Sequence, residues 1–348
     1  ESLHPLSKHP QREAAIWQAV NRFSFEDTFA ATGYSKSDVF EHFFVEDVVR
    51  QLVEGRSKDG SISYLEQEKL IHPHSEGGYD VTNLLVLTAA RDFTEWAGLE
   101  RKGIRLIRYK GNTKLEAEEE INGVFGYFVA FERALNSIMS RTPHREEMRH
   151  GLRQTTYDFP RVAIREILAN AIIHQDFTIL GFGPTVEIFG DRIVITNPGK
   201  PLVDPDRFID APSRTRNNNL ADLMRRLGVC EERGSGIDRA FTEIELAGLP
   251  PPLIQQVSDC TVVTIFGPRP FAQMTKEERL RACYFHACLR AEKNDFMSNA
   301  SLRQRFRLSQ KQYSQVSEVI KEACAVDLIK PLSEDQGNRN ARYLPYWY

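Results

Sequence analysis

The chain has 348 residues, 41% of them hydrophobic and 27% charged, with a formal net charge of −3. That is enough material for two or three domains with real cores, in the composition range of ordinary globular proteins. It excludes a uniformly basic nucleic-acid coat, and no apolar run approaches the length of a membrane span.

Cys230, Cys260, Cys283, Cys288 and Cys324 are odd in number, so a reduced, cytoplasmic setting is expected rather than a disulfide framework. Cys283, His286 and Cys288 would point apart on a helix and no CxxC pair exists, so no metal site is expected there. The charge is uneven: residues 271–348 hold 13 Lys/Arg against 9 Asp/Glu, a net +4 that leaves −7 on the remainder. No secretory signal opens the chain. It does not start with Met, and an upstream part is expected.

Residues 1–76 read as a helical region. "REAAIWQAVNRF" has Ile16, Val20 and Phe23 at helical spacing, "SKSDVFEHFFVEDVVRQLVEG" is a helix between a Ser cap and Gly55, and "SISYLEQEKLI" is a third. After the break "HSEGGYD", the run "NLLVLTAA" is compatible with a buried strand. "GIRLIRYKG" alternates and reads as a strand. "EINGVFGYFVAFERALNSIMSR" and "FPRVAIREILANAIIHQDF" are helices, the second entered after Pro160. "PTVEIF" and "RIVIT" flank Gly190-Asp191 as a tight hairpin. Residues 200–219 form a long polar loop, of the kind that is usually functional or disordered. "NLADLMRRLG" is a helix ended by Gly228, "ERGSGIDRAFTEIELAG" is a Gly-rich turn into another, and "PPPLIQQVSDCTVVTIFG" ends in a strand. The last segment reads as three helices and a hairpin: 276–290, 299–306 and a helix opened by Ser309 with Gln312 completing a capping box, then "VDLIKPL" and "ARYLPYWY".

Three segments carry chemistry. Glu166, Asn170 and His174 lie four apart and form a polar stripe on an oily helix. Glu166 can orient or deprotonate a water, and Asn170 offers a hard neutral oxygen suited to Mg²⁺. Alternatively, Asn170 bonds the backbone and Glu166 faces solvent. Asn197 ends a strand before Gly199, which permits an unusual backbone angle or a close approach; an ordinary turn has the same sequence. Gly234, Ser235 and Gly236 open a helix, where backbone N–H groups and the helix terminus favour phosphate; a tight turn is the simpler alternative. In the loop, Arg214 and Arg216 are natural phosphate partners through their planar donor forks, with Lys200 weaker. A solvated loop reads the same way.

In this order the segments resemble the Bergerat-type (GHKL) ATP-binding fold of gyrase B, MutL and histidine kinases. They resemble more closely the bacterial Schlafen/AlbA-type ATP-binding transcriptional regulators with a region like the C-terminus of RecG helicase. "REILANAIIHQDF", "EIFGDRIVITNPGKPL", "SRTRNNNLADLMRRLGVCEERGSGIDRAF", "GLPPP" and "RYLPYWY" carry that likeness, with "TNLLVL" and "IRLIRYKG". The resemblance implies ATP and Mg²⁺ as ligands. Asn170 would hold the metal and Glu166 would activate water. Asn197 and Gly199 would lie at the adenine, Arg214 and Arg216 in a lid, and Gly234, Ser235 and Gly236 on the phosphates. Asn197 stands where such proteins usually have Asp and cannot offer the same acceptor pair, so nucleotide binding is expected more than fast hydrolysis.

The implied fold is α+β: a GHKL-like helix/sheet sandwich over 77–270, a helical region over 1–76 that exits a missing AlbA-like domain, and a winged helix-turn-helix over 271–348. Residues 296–317 have no acidic member. Arg303, Arg305, Arg307 and Lys311 would meet phosphates, and Gln310, Lys311, Ser314 and Gln315 would reach base edges. Arg339 and Arg342 would sit in the wing; a protein-contact role for the same domain stays open. The expected function is a nucleotide-responsive DNA-binding regulator, with a homodimer among its expected assemblies and no membrane partner. The alternatives are a slow ATPase serving a larger assembly or defence system, and a scaffold with a vestigial nucleotide site.

Overall fold

The computed structural model describes residues 24–53, 60–149, 152–212, 214–230, 236–333, 335–337 and 341–348. The first expected helix, together with Gly234, Ser235 and Arg339, lies outside them.

The first unit runs β1 (Phe29–Tyr34), α1 (Lys36–His42), α2 (Val45–Leu52), α3 (Ser61–Gln67), β2 (Ile71–Pro73) and β3 (Tyr79–Thr82). Its strands pair antiparallel in the order β1-β3-β2, so the region expected to be helical also carries a small sheet. The one long helix expected after Ser35 is two. Phe43 leaves helical geometry, with φ −128° and ψ 152°, and pairs with Ala90. "HSEGGYD" is the β2–β3 turn, where Gly78 takes φ +84° and a Cβ would come 2.7 Å from the Tyr34 carbonyl oxygen. "NLLVLTA", expected as a strand, is helix α4 (Asn83–Ala89), capped by Thr82. Every residue of α4 is buried, so its apolar run carries no periodicity that would separate helix from strand.

The central unit follows with β4 (Arg105–Tyr109), β5 (Ala117–Asn122), α5 (Tyr127–Arg141), β6 (His144–Arg149), β7 (Leu152–Tyr157) and α6 (Arg161–Ile173). It continues with β8 (Thr185–Ile188), β9 (Arg192–Pro198), α7 (Asn218–Arg226), α8 (Gly236–Leu246), β10 (Leu253–Val257) and β11 (Cys260–Phe266). The β6–β7 hairpin, not expected from the sequence, stands apart as its own two-stranded sheet. The main sheet has the order β10-β11-β9-β8-β4-β5, antiparallel except where β4 meets β8.

Its register lines up Ile254, Val263, Ile195, Val186, Leu106 and Ile121 across all six strands. Residues of one row share a face, so a single apolar stripe crosses the sheet. Leu106, Val186 and Ile195 of the row, with Val263 against them, share one core with Phe131 of α5, Ile164, Ile167 and Leu168 of α6 and Ala240 of α8, whereas Ile121 at the edge is exposed. The result is a helix/sheet sandwich of the α+β class.

Helix α7 is capped from a distance. Glu26, 1% exposed, accepts hydrogen bonds from the Asn219 and Leu220 amides at 2.8 Å each. These are amides that a helix start leaves without an internal partner, and the carboxylate also meets the positive end of the helix dipole.

The C-terminal unit contains α9 (Lys276–Ala291), α10 (Asn299–Arg305), α11 (Tyr313–Ala325), β12 (Ile329–Pro331) and β13 (Tyr343–Pro345). β12 pairs antiparallel with β13, and Met297, between α9 and α10, bridges to Tyr343. Ser309 and Gln312 form the expected capping box, at the head of a 3₁₀ turn that precedes α11. This unit has its own core, which also takes in Ile209, Phe241 and Ile254 from the central unit. No helix among the described residues is long and apolar enough to cross a membrane.

Removing the Glu26 carboxylate takes the acceptor from the buried Leu220 amide and the part-buried Asn219 amide. Glu26→Ala is expected to lower unfolding stability by about 1–3 kcal/mol, read as a lower urea midpoint. An unchanged midpoint would remove the cap from the account of α7.

Candidate functional site

A cavity of about 500 Å³ opens between α6, the sheet, the loop that follows β9 and the start of α8. Its wall includes Glu166, Asn170 and His174, so the polar stripe of α6 faces the cavity. Its floor is the inner face of the sheet: Ile254, Val263 and Ile195 from the apolar row, then Asn197 and Thr261, which are cross-strand partners one step further along. The loop supplies the roof from Lys200 to Val203, at Phe208 and Ile209, and again around Arg214 and Arg216.

Asn170 is half-buried and lines the cavity; among the described residues its side chain has no hydrogen-bond partner. Asn197 is 5% exposed, and its Nδ2 donates to the Pro198 carbonyl at 3.3 Å. That leaves Oδ1 without a partner among the described residues.

Glu166 is buried, and desolvation raises its proton affinity against the opposing pull of Arg165 and Arg239. Arg165 lies 3.3 Å from it and also donates to the Gly228 carbonyl at 2.7 Å. Gly236 rests on the same carboxylate, since a Cβ there would come 2.7 Å from Glu166 Oε2. Glycine at that position lets the first turn of α8 reach Glu166. Cys230 lines the cavity as well, and burial, with the Glu166 charge, pushes its thiol up to about 12. Burial and then Arg216 push His174 down to about 4, so its ring is neutral at physiological pH.

Other expected site residues have work elsewhere. Arg216 donates to the carbonyls of His174 at 2.9 Å and Lys200 at 2.7 Å and lies 4.0 Å from Asp176. Its fork is therefore spent on the protein backbone and not free for phosphate. Gly199 has φ +114°, and a Cβ would meet Arg216 Nη1 at 2.9 Å and the Asp176 amide at 3.0 Å. Its glycine serves close backbone packing, and it does not line the cavity. Arg214 is exposed, lines the cavity and has no ion pair among the described residues. Lys200 lines it too, 3.2 Å from Asp259. Thr261, Asn218 and Arg225 also line the cavity and were not anticipated. Thr261 becomes a site residue only through its pairing with Asn197 across more than sixty residues of chain, which no local pattern announces.

In the C-terminal unit, Gln310, Lys311, Ser314, Gln315 and Arg342 are exposed. Arg303 donates to Asn299 at 2.9 Å and stacks 6.0 Å over Tyr313. Tyr313 is 44% exposed beside these groups. Two arginines turn the other way. Arg305 is 6% exposed, donates to the Leu249 carbonyl at 2.6 Å and lies 3.3 Å from Glu245. Arg307 donates to the Leu246 carbonyl at 3.0 Å. Both are hydrogen-bonded to the central unit; Arg305 is buried there and not available to meet phosphates, while Arg307 stays exposed.

Residues 181–265 match a family model described as "Putative ATP-dependent DNA helicase recG C-terminal". An ATPase-type domain is thus supported for the central unit. Among solved structures, the chain is similar to the DIP2311 protein from Corynebacterium diphtheriae, with a TM-score of 0.56 and 16% identity over 95% of this chain and 66% of that one. That likeness is one of fold, and this chain spans about 66% of the length of that protein. Comparison with curated proteins gives no match.

The neutral His174 makes a testable contribution. Its folded pKa, about 4, lies below the ordinary 6.5. Between those values the unfolded chain binds the proton and the folded one does not, so stability falls as pH falls through that window. His174→Gln is expected to flatten the acid limb of unfolding stability measured at stepped pH between about 6.5 and 4. An identical limb in the variant would contradict the assignment.

Proposed function

We propose that this chain binds a nucleoside triphosphate, ATP, with Mg²⁺ in the central cavity and binds DNA through its C-terminal unit, as a nucleotide-responsive regulator. The observation that carries the first half is the convergence of Asn170, Asn197 and Arg214 on one cavity in the unit that matches an ATPase-type model.

The donor set fits the ligands. Asn170 brings an amide oxygen without a protein partner among the described residues, suited to a hard cation that keeps phosphates and waters as its other ligands. The Oδ1 of Asn197 accepts from an exocyclic amino group, as on adenine. Arg214 and Lys200 supply positive charge for phosphates at the cavity mouth. The cation, when bound, neutralises phosphate charge.

A second reading, slow ATP hydrolysis, is favoured by Glu166. It is a buried carboxylate with raised proton affinity on the cavity wall, and higher proton affinity makes a carboxylate a stronger base towards water. Arg165 orients it from one side and Gly236 closes the other.

For the second half, the helix order, the bridge from Met297 to β13 and the β12–β13 hairpin support the winged-helix reading. Gln310, Lys311, Ser314 and Gln315 sit exposed at the head of α11, where a recognition helix contacts bases.

Titration calorimetry with Mg-ATP is expected to give saturable binding that Asn170→Ala abolishes. Glu166→Gln is expected to retain binding and lose phosphate release; equal release by both proteins would discard the hydrolytic reading. On duplex DNA, Lys311→Ala is expected to weaken binding and lower the slope of log affinity against log salt by about 1, as followed by fluorescence anisotropy.

A further inference from the structure

The roof of the cavity is not a free loop. Its outermost stretch is held by the C-terminal unit. Tyr284 of α9 donates its hydroxyl to the Asp206 carbonyl at 2.6 Å. The Arg207 guanidinium stacks 5.2 Å over the Trp347 ring near the chain end. Ile209, two residues on, is 6% exposed and belongs to the apolar core of the C-terminal unit, yet it also lines the cavity. A second connection runs through α8. Its first residue, Gly236, lies on Glu166 in the cavity wall. Its last turn carries Glu245, 2.8 Å from His286 and 3.3 Å from Arg305, both on the C-terminal helices.

From this we infer that the C-terminal unit grips the lid of the cavity through Asp206, Arg207 and Ile209, so that a nucleotide in the cavity and a partner on the C-terminal unit bind with linked affinities. The inference rests on the nucleotide reading above and adds the route. A lid packed into a neighbouring core cannot shift over a ligand without moving that core or leaving it, because packed interfaces have discrete arrangements. Whatever the nucleotide does to the C-terminal unit, a ligand on that unit does to nucleotide affinity by the same factor. The grip also holds the lid in place over the cavity before any ligand arrives, which lowers the ordering cost of binding.

Tyr284 and Trp347 do not line the cavity, so they can be changed without touching a bound nucleotide. Tyr284→Phe keeps the buried ring and removes only the hydroxyl; Trp347→Ala removes the stack. Hydrogen exchange on the full chain is expected to show faster exchange over 204–212 in Tyr284→Phe without ligand. Calorimetry is expected to show Mg-ATP binding weakened about fivefold in that variant, the effect of one net hydrogen bond, and further in the double variant. In the wild type, Mg-ATP is expected to protect 343–348 as well as 204–212. Lid exchange unaltered by Tyr284→Phe, or wild-type Mg-ATP binding by calorimetry with unchanged exchange over 276–291 and 343–348, would overturn the linkage. Absence of any binding heat in the wild type is a separate result, which overturns the nucleotide reading itself and the linkage with it.

Discussion

The C-terminal end of α6 holds the site together. A helix leaves its last carbonyls without internal partners, and this one ends inside the protein. Three consecutive side chains from the far end of the lid satisfy them. Thr215 and Asn217 donate to the Ile173 carbonyl, Arg216 to His174, and Asn217 again to Gln175 at 2.8 Å. Gln175 in turn donates to Tyr127, whose hydroxyl reaches the Lys102 carbonyl. The same Arg216 fork closes onto Lys200, where the lid departs. The helix that presents Asn170 to the cavity is thus tied at its end to both ends of the lid, and cavity and roof are one construction. Glu26 carries the chain of contacts outward, since the helix that follows the lid starts on its carboxylate.

Much of this was legible in the chain. Pro160 before an apolar run marked the entry to α6, Gly190-Asp191 marked the β8–β9 turn, and the Ser309 capping box marked the approach to α11. The stripe of Glu166, Asn170 and His174 followed from helical spacing, and its direction was settled by the apolar residues that pack around it. The sequence picked out the two loop arginines that line the cavity but not their division of labour. Arg214 and Arg216 have the same chemistry two residues apart, yet one faces the cavity mouth and the other caps carbonyls. Only the return path of the loop separates them. The glycines fall under the same limit. Gly199 and Gly236 both report a close approach, but in each case the neighbour is a protein side chain, Arg216 or Glu166. The strands of the first unit were missed because short half-covered segments carry too few alternations to declare a period.

The C-terminal charge is the clearest case of composition overstating a surface. The +4 over 271–348 invites a basic face, and three of its arginines are clustered at 303, 305 and 307. Two of those three are bound to the central unit, Arg305 within a buried group with Glu245 and His286. Removing a charge from such a group is strongly destabilising even where the pair itself adds little, so Arg305 holds the two units together. The outward face at the head of α11 keeps Lys311 and Arg303 among neutral groups, Gln310, Tyr313, Ser314 and Gln315. A face with so few cations releases few counterions on meeting a duplex. On the proposed DNA reading, affinity would therefore rest on groove contacts by neutral side chains more than on phosphate neutralisation.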